Sequence, residues 1–359
     1  METSFLKVKN TQFRTGAAVH PLLQQICREN ADLAACEQIG VSEEGRPIAG
    51  VVMGKGARRV SLIAGAHSDE PVGPETLRTL IIEGLKQRDL LGDWFEQFQF
   101  VIVPHINPDG EARNQNWIAK WPDVEAYLLN AFREPPGRDL EFGFPNMRVE
   151  NKCVSEFLQL HAPFALHASL HGMGFAEGAM LLIERRWIDK TQTLREQFKQ
   201  AVRAAGLRLH DHDRKGEKGF HYIEPGFWTT PEGSAMRNFF SAKPMRSSGE
   251  GKNDSTTAQL FHDSSMEFVR TLGGDPLCLV TELPLFVINK EILPRKPGAP
   301  QAYLEFAEKI PALRSELLAG RSVQPILDSF QIQPFSLNAA VPLQLKVIEL
   351  GLQTVSGSP

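Results

Sequence analysis

Four side chains in this sequence have the types and spacing that metal-assisted hydrolysis needs. His67-Ser68-Asp69-Glu70 puts an imidazole and a carboxylate three residues apart, directly after the apolar run RRVSLIAGA. A tight turn closing such a run can aim both groups at one ion. Zinc takes imidazole nitrogen at ~2.0–2.1 Å and carboxylate oxygen at ~2.0–2.2 Å, and a catalytic site leaves one position for water. The spacing alone is weak, because His221-Tyr222-Ile223-Glu224 repeats it. Position separates the two pairs. His67 stands at the carboxyl end of an expected strand, where ligands bind in open α/β sheets. His221 stands in a loop-like stretch, and Glu224 runs at once into Pro225 and Gly226.

The third ligand has to come from another strand end. His171, which closes the run ALHASLH before Gly172, is the best placed. His167 shares its strand face at a period of two but lies deeper, and reads as a buried core histidine. His161 reads as the end of the preceding helix. The fourth group is Glu282 in CLVTELP. A carboxylate at the end of a continuous apolar strand is costly without a partner, which suits a general base whose pKa is set by its surroundings. The plainer reading is a glutamate that emerges into solvent where the strand stops.

The elements that must position these groups follow from pattern. Helical spacing of Val19, Leu22, Leu23, Ile26 and Leu33 predicts a helix over 17–36. EQIGVSEEGRPIAGVVMG predicts two short strands about a polar turn. RRVSLIAGAH, FQFVIVPHINPDG, FALHASLHG, GAMLLIE and PLCLVTELPLF predict further strands, several of them buried. Helices are expected from Pro74, over 148–161, over LREQFKQAVRAAG ended by Gly206, at SMEFVRTLGG, and over 300–319. Residues 209–263 read as a long polar connection, which is usually functional or mobile. His210-Asp211-His212-Asp213 within it reads as a solvated loop in preference to a second metal site. LQLKVIEL reads as a late strand. Strands alternating with helices argue for an α/β layered fold. Residues 1–297 are taken as the catalytic domain and 298–359 as a helical extension and tail.

Composition bounds the partners. The chain has 359 residues, 42% hydrophobic and 23% charged, with net charge -4. No basic block favours nucleic acid. No apolar run approaches the ~20 residues of a membrane span, and the N-terminal stretch lacks the apolar core of a secretory signal. A soluble, cytoplasmic protein is expected. Cys27, Cys36, Cys153 and Cys278 have no CxxC spacing, and Cys153 and Cys278 read as small core residues. Nothing in the chain specifies an oligomeric state.

In order, the segments GVSEEGRPIAGVVMG, GAHSDEPVGPE, INPDG, SLHG and VTELP make the sequence resemble the M14 zinc carboxypeptidase family from about Val41 to Phe286. The resemblance implies a three-layer α/β/α sandwich around a mixed sheet of about eight strands. It implies one zinc per chain on His67, Glu70 and His171, activating a water for which Glu282 is the base. It also implies an oxyanion-stabilising arginine near the Asn-Pro-Asp-Gly turn, for which Arg113 is the nearest match, and Asp139 as a carboxylate orienting His67.

The sequence departs from the family where the substrate's terminal carboxylate is gripped. Glu141-Phe142 stands in place of an Asn-Arg pair. Arg138 and Arg148 are the nearby cations that could replace it, unless Glu141 selects a cationic or amide-bearing substrate. The family's mobile tyrosine is not evident either. Its position corresponds to Gln259, with His262 and Tyr222 as stand-ins, and Met266 falls at the specificity position. The expected function is hydrolysis of a peptide or amide bond. An N-acyl amino acid or small-amide deacylase and a catalytically silent binding protein are the alternatives, and Glu282 argues against the last.

Overall fold

The apolar runs pair into a single mixed sheet. The computed structural model describes residues 5–242 and 257–357; part of the expected 209–263 connection therefore lies outside the described residues. Among those described there are ten strands: β1 (Ala34–Val41), β2 (Pro47–Met53), β3 (Arg58–Ala64), β4 (Phe98–Val103), β5 (Leu166–Ala176), β6 (Met180–Ile183), β7 (Tyr222–Glu224), β8 (Phe227–Thr229), β9 (Leu277–Ile288) and β10 (Ile332–Pro334). Their order is β1-β2-β4-β3-β5-β9-β6-β8-β7, with β10 on the far end of β9. The sheet thus exceeds the expected eight strands. β7, β8 and β10 span three residues each, too few to display a period.

β4, β3, β5 and β9 run parallel to one another. Helices cover both of their faces, which is why they read as continuous apolar runs. Twelve α-helices lie among the described residues: α1 (Gly16–Glu29), α2 (Val72–Lys86), α3 (Gly92–Gln97), α4 (Pro108–Ile118), α5 (Val124–Asn130), α6 (Val149–His161), α7 (Gln192–Ala204), α8 (Gly233–Ala242), α9 (Ser265–Thr271), α10 (Gln301–Leu318), α11 (Gln324–Ser329) and α12 (Leu337–Ser356). Alternate strand residues face different layers. Leu62, Phe100 and Ile102 join an apolar cluster with α1, α2, α7 and α12, whereas Ile63, Val101 and Val103 join one with α6 and α9. The expected α/β/α sandwich is what the chain forms.

Several boundaries differ from expectation for local reasons. The first helix stops at Glu29, because the Asn30 side chain turns back to donate to the Ile26 carbonyl at 2.9 Å. The Asn-Pro-Asp-Gly segment is a helix start as well as a turn: Asn107 caps α4, with Pro108 in its first turn. Within 209–263 the chain forms β7, β8 and α8. LQLKVIEL is helical, not a strand, and lies inside α12. Its short alternation coexists with Val341, Leu345, Ile348, Leu352 and Val355 at helical spacing, all buried. α12 packs on α2, α7, β5 and β9. No break in packing marks residue 297: α10, α11 and α12 share one apolar cluster with the central strands.

Candidate metal centre

The four chemical side chains come from three adjacent parallel strands. Two come from the turn after β3 and two from midway along β5 and β9, which run on to Ala176 and Ile288 instead of ending at the site as expected. His67 and Glu70 follow β3, and His171 in β5 sits directly opposite Glu282 in β9. Two glycines permit the approach. Gly65 turns the chain after β3 at φ 80°, and a Cβ there would lie 2.5 Å from the His105 ring. A Cβ on Gly73 would lie 2.3 Å from the Leu170 carbonyl oxygen, so α2 presses on β5 beside His171. Any larger residue at either point would push the ligand loop off the sheet.

The Asn-Pro-Asp-Gly segment fastens that loop. Asn107 Oδ1 accepts from the Gly110 amide at 3.0 Å, while its Nδ2 donates to Glu134 at 2.7 Å. The Ser68 hydroxyl donates to the other Glu134 oxygen at 2.7 Å, and Asn114 donates to the Ser68 carbonyl at 2.9 Å. Asp109 accepts from the Ser42 hydroxyl at 2.6 Å and the Glu44 amide at 2.9 Å, tying in the β1–β2 turn. All of these groups but Glu44 are buried, so each bond replaces hydration that folding removed.

The ligand atoms converge. His67 Nδ1 lies 2.9 Å from Glu70 Oε1, His171 Nδ1 lies 2.9 Å from Glu70 Oε2, and the two Nδ1 atoms are 3.1 Å apart. A tetrahedral zinc with ligands at ~2.0–2.2 Å would set them roughly 3.3–3.5 Å from one another. His67, Glu70 and His171 are also the one group found among the described residues whose donor atoms can share a metal ion. Beside them Glu282 is half-buried, and its Oε2, a buried atom, has no hydrogen-bond partner. A buried carboxylate oxygen left open is costly; a zinc site with its water is a group that accounts for it. The residues therefore fit the metal.

Electrostatics follow from burial and carboxylate crowding. Burial and the adjacent Glu70 push the Glu282 carboxyl well above the usual range. Burial opposes the charge on His171, but Glu70 and Glu141 outweigh it and raise its pKa. Glu141 Oε2 lies 2.8 Å from His171 Nε2, and its Oε1 accepts from the Ser265 hydroxyl at 3.0 Å. An ionised carboxylate only accepts, so Nε2 carries the proton and Nδ1 is left to the metal.

This corrects two expectations. The carboxylate that orients a ligand imidazole is Glu141 on His171, not Asp139 on His67; Asp139 accepts from the Phe142 amide at 3.3 Å, a turn interaction. Nor does Glu141 face the substrate space, since it is buried beneath His171.

The arginine expectation also changes. Arg113 is exposed, paired with Glu44, and lies over the Phe132 ring. Arg133 lines the ligand cleft, 3.1 Å from Asp69 and in contact with Glu70. The Arg133 side chain is 47% exposed against 50% for Arg113, so what sets it apart is its place in the cleft beside Glu70 and Asp69.

None of the four expected substrate residues lines the cleft. Arg138 pairs with Glu43 on the surface, and Arg148 is buried against Glu150 at 2.9 Å. The His262 amide donates to the Phe142 carbonyl. Met266 is buried in a cluster with Trp228 and Leu182. The second His-x-x-Glu pair is no metal site: Glu224 is held by Arg195 and Lys199, both at 2.7 Å. His167 is fully buried between Ser61 and Ser265, as its place in the strand implied. His210 is not solvated as expected; it is buried and lines the cleft, as do His212, Arg214 and Tyr303. The sequence showed the His210–Asp213 cluster but not its burial, because irregular chain has no period to read, and Tyr303 lies beyond the expected catalytic domain.

Fold and site together define an α/β protein with a His-Glu-His metal centre and an adjacent glutamate. The chain belongs to the zinc carboxypeptidase family, Peptidase M14, whose family model matches residues 19–267. Among curated relatives it is 28% identical over 161 residues to carboxypeptidase B from Astacus astacus, covering 43% of this chain and 53% of that protein. It is 24% identical over 166 residues to zinc carboxypeptidase A 1 from Drosophila melanogaster, covering 44% of this chain and 38% of that one. The chain thus spans about half, or less, of the length of these relatives. The crystal structure of carboxypeptidase A from Helicoverpa armigera has the same fold, with a TM-score of 0.54 at 12% identity, covering 100% of this chain and 77% of that chain.

Proposed function

We propose that this chain is a zinc-dependent hydrolase that cleaves a peptide or amide bond, with one zinc held by His67, Glu70 and His171. The observation that carries the proposal is Glu282, a half-buried carboxylate whose buried Oε2 has no partner, directly across from a metal ligand. When bound, zinc polarises the scissile carbonyl and lowers the pKa of water from ~15.7 toward ~7. Glu282 takes the proton from the attacking water and delivers it to the leaving amine. Arg133, inside the cleft, offers its guanidinium to the negative charge that develops on the carbonyl oxygen. Glu141 holds His171 in the tautomer that binds metal.

Peptide substrates follow from the relatives' carboxypeptidase names. A deacylase acting on N-acyl amino acids or small amides is the second reading. It is favoured by Glu141, which occupies the expected carboxylate-gripping position but is committed to His171. A silent binding protein would have no use for Glu282 where it stands.

A mixed library of peptides and N-acyl amino acids, read by mass spectrometry with Glu282→Gln as the blank, tests the proposal. Release of single C-terminal residues supports a carboxypeptidase, and release of acyl groups supports a deacylase. No difference from the blank would rule out the hydrolase reading. Metal analysis should find one zinc in wild type and none in His67→Ala; stoichiometric zinc in that variant would remove His67 from the ligand set.

A further inference from the structure

The cleft that holds Glu282 continues along a segment the proposed mechanism does not use. The chain at 209–214 lies outside any helix or named strand. His210, His212 and Arg214 all line the same cavity as Glu282, about 650 Å³ in volume. The alternate residues face away and fasten the segment. Asp211 accepts from the Tyr222 hydroxyl at 2.7 Å and from the Gly298 amide at 2.9 Å, and the Asp213 amide donates to the Gly298 carbonyl at 2.8 Å. A His-x-His-x-Arg face is thus held rigidly toward the cleft.

The three basic groups gather around Tyr303 of α10. Its ring centroid lies 5.0 Å from that of His210 and 5.8 Å from that of His212, and the two imidazoles are 5.7 Å apart. Arg214 stacks on the Phe220 ring at 4.4 Å, which steadies the guanidinium without neutralising it. Its carboxylate neighbour, Glu217, stands 3.4 Å away and is exposed. The ion pairs made by histidines among the described residues involve His67 and His171 only. Tyr303, Arg214 and Glu282 line the same cavity, so this face and the glutamate of the metal centre open onto one space.

We propose that His210, His212 and Arg214 form an anion subsite that binds a carboxylate of the substrate while the scissile carbonyl lies at the metal centre. The guanidinium supplies charge and a forked donor, and each imidazole supplies an N–H donor. The subsite provides, from a different part of the chain, the recognition that Glu141 and Phe142 do not. It rests on the hydrolase reading and specifies the substrate class: amides bearing a carboxylate, on the leaving amine or on the acyl group.

The test is calorimetric binding to zinc-loaded Glu282→Gln protein, in which turnover is suppressed. The probes are N-benzoylglycyl-phenylalanine, its C-terminal amide, and N-succinyl-phenylalanine amide, which carries its carboxylate on the acyl side. At least one of the two acids should bind about ten-fold or more tightly than the neutral amide, and which acid does so tells which side bears the recognised group. That preference should collapse on adding Arg214→Gln or His212→Gln, with zinc content unchanged. Equal binding of all three probes, or a preference that survives both substitutions, overturns the subsite. Wild-type turnover is measured separately. Its absence would sink the hydrolase reading, while the binding comparison would still decide the subsite.

Discussion

At the scale of single residues, two arginines near the same turn have different prospects because one is beside the ligands and the other is not. Arg133 contacts Glu70 and lines the cleft, whereas Arg113 makes an exposed pair with Glu44. Removing a donor aimed at a developing oxyanion costs ~10²–10³ in kcat; an exposed ion pair is worth ~0–1 kcal/mol. Arg133→Ala should therefore lose about that factor in turnover with zinc retained, and Arg113→Ala should lose little. Steady-state kinetics with parallel metal analysis checks both, and the reverse ranking would restore Arg113. Glu141→Gln should act differently, since it weakens the group that fixes the His171 tautomer. Zinc affinity should fall ~10–100-fold, read by competition with a chelator; unchanged affinity would make Glu141 a packing residue. The ligands and Glu282 were legible in sequence because each follows or interrupts an apolar run, although β5 and β9 continue past His171 and Glu282 and do not end there. Arg133 and Glu141 were not, because AFREPPGRDLEFGFP has no period from which the direction of a side chain can be read.

At the scale of elements, the last helix belongs to the site although its sequence carries no motif. Gln344 of α12 is fully buried. Its Nε2 donates to the His171 carbonyl and the Thr281 hydroxyl, both at 3.0 Å, and its Oε1 accepts from the Thr76 hydroxyl at 2.6 Å. One amide thus joins the helix after Glu70, the strand of His171 and the strand of Glu282. Gln344→Leu keeps the volume but removes three buried hydrogen bonds, each worth about 0.5–1.5 kcal/mol, while Thr76 keeps its bond to Val72 and Thr281 its bonds to His171. Faster zinc loss to a chelator is expected, beyond what destabilisation alone explains. Leu352→Ala on the same helix serves as the control, losing ~2–5 kcal/mol of packing without loosening the metal. Equal zinc-loss rates in the two variants would make Gln344 an ordinary core residue. The strands and most helices were legible because burial on both faces imposes long apolar runs. α12 was misread for the same reason: a helix buried nearly all round has apolar residues at every spacing, including a period of two.

At the scale of the whole molecule, packing helices on both faces of a ten-stranded sheet enclosed histidines that have no counterion. Burial holds His167 down to about 4, with Glu141 opposing weakly, and it holds His105 down to about 4 and His210 down to about 3. An unfolded histidine titrates near 6.5. Between that value and about 4 the unfolded chain binds protons that the folded chain refuses, so stability is fully present above pH 6.5 and is lost as pH falls. Each such group contributes a slope of at most about 1.4 kcal/mol per pH unit across that window. His167→Gln offers Ser61 and Ser265 a neutral partner and removes one refused proton. The unfolding free energy of wild type minus that of His167→Gln, from urea melts of both proteins stripped of metal, should be flat above pH 7 and fall steadily from about pH 6.5 to 4.5. Groups common to both proteins cancel in the difference. A difference that stays level through that window would mean His167 takes up its proton inside the fold, and the Ser61–His167–Ser265 chain would then have to be re-read as a charged network.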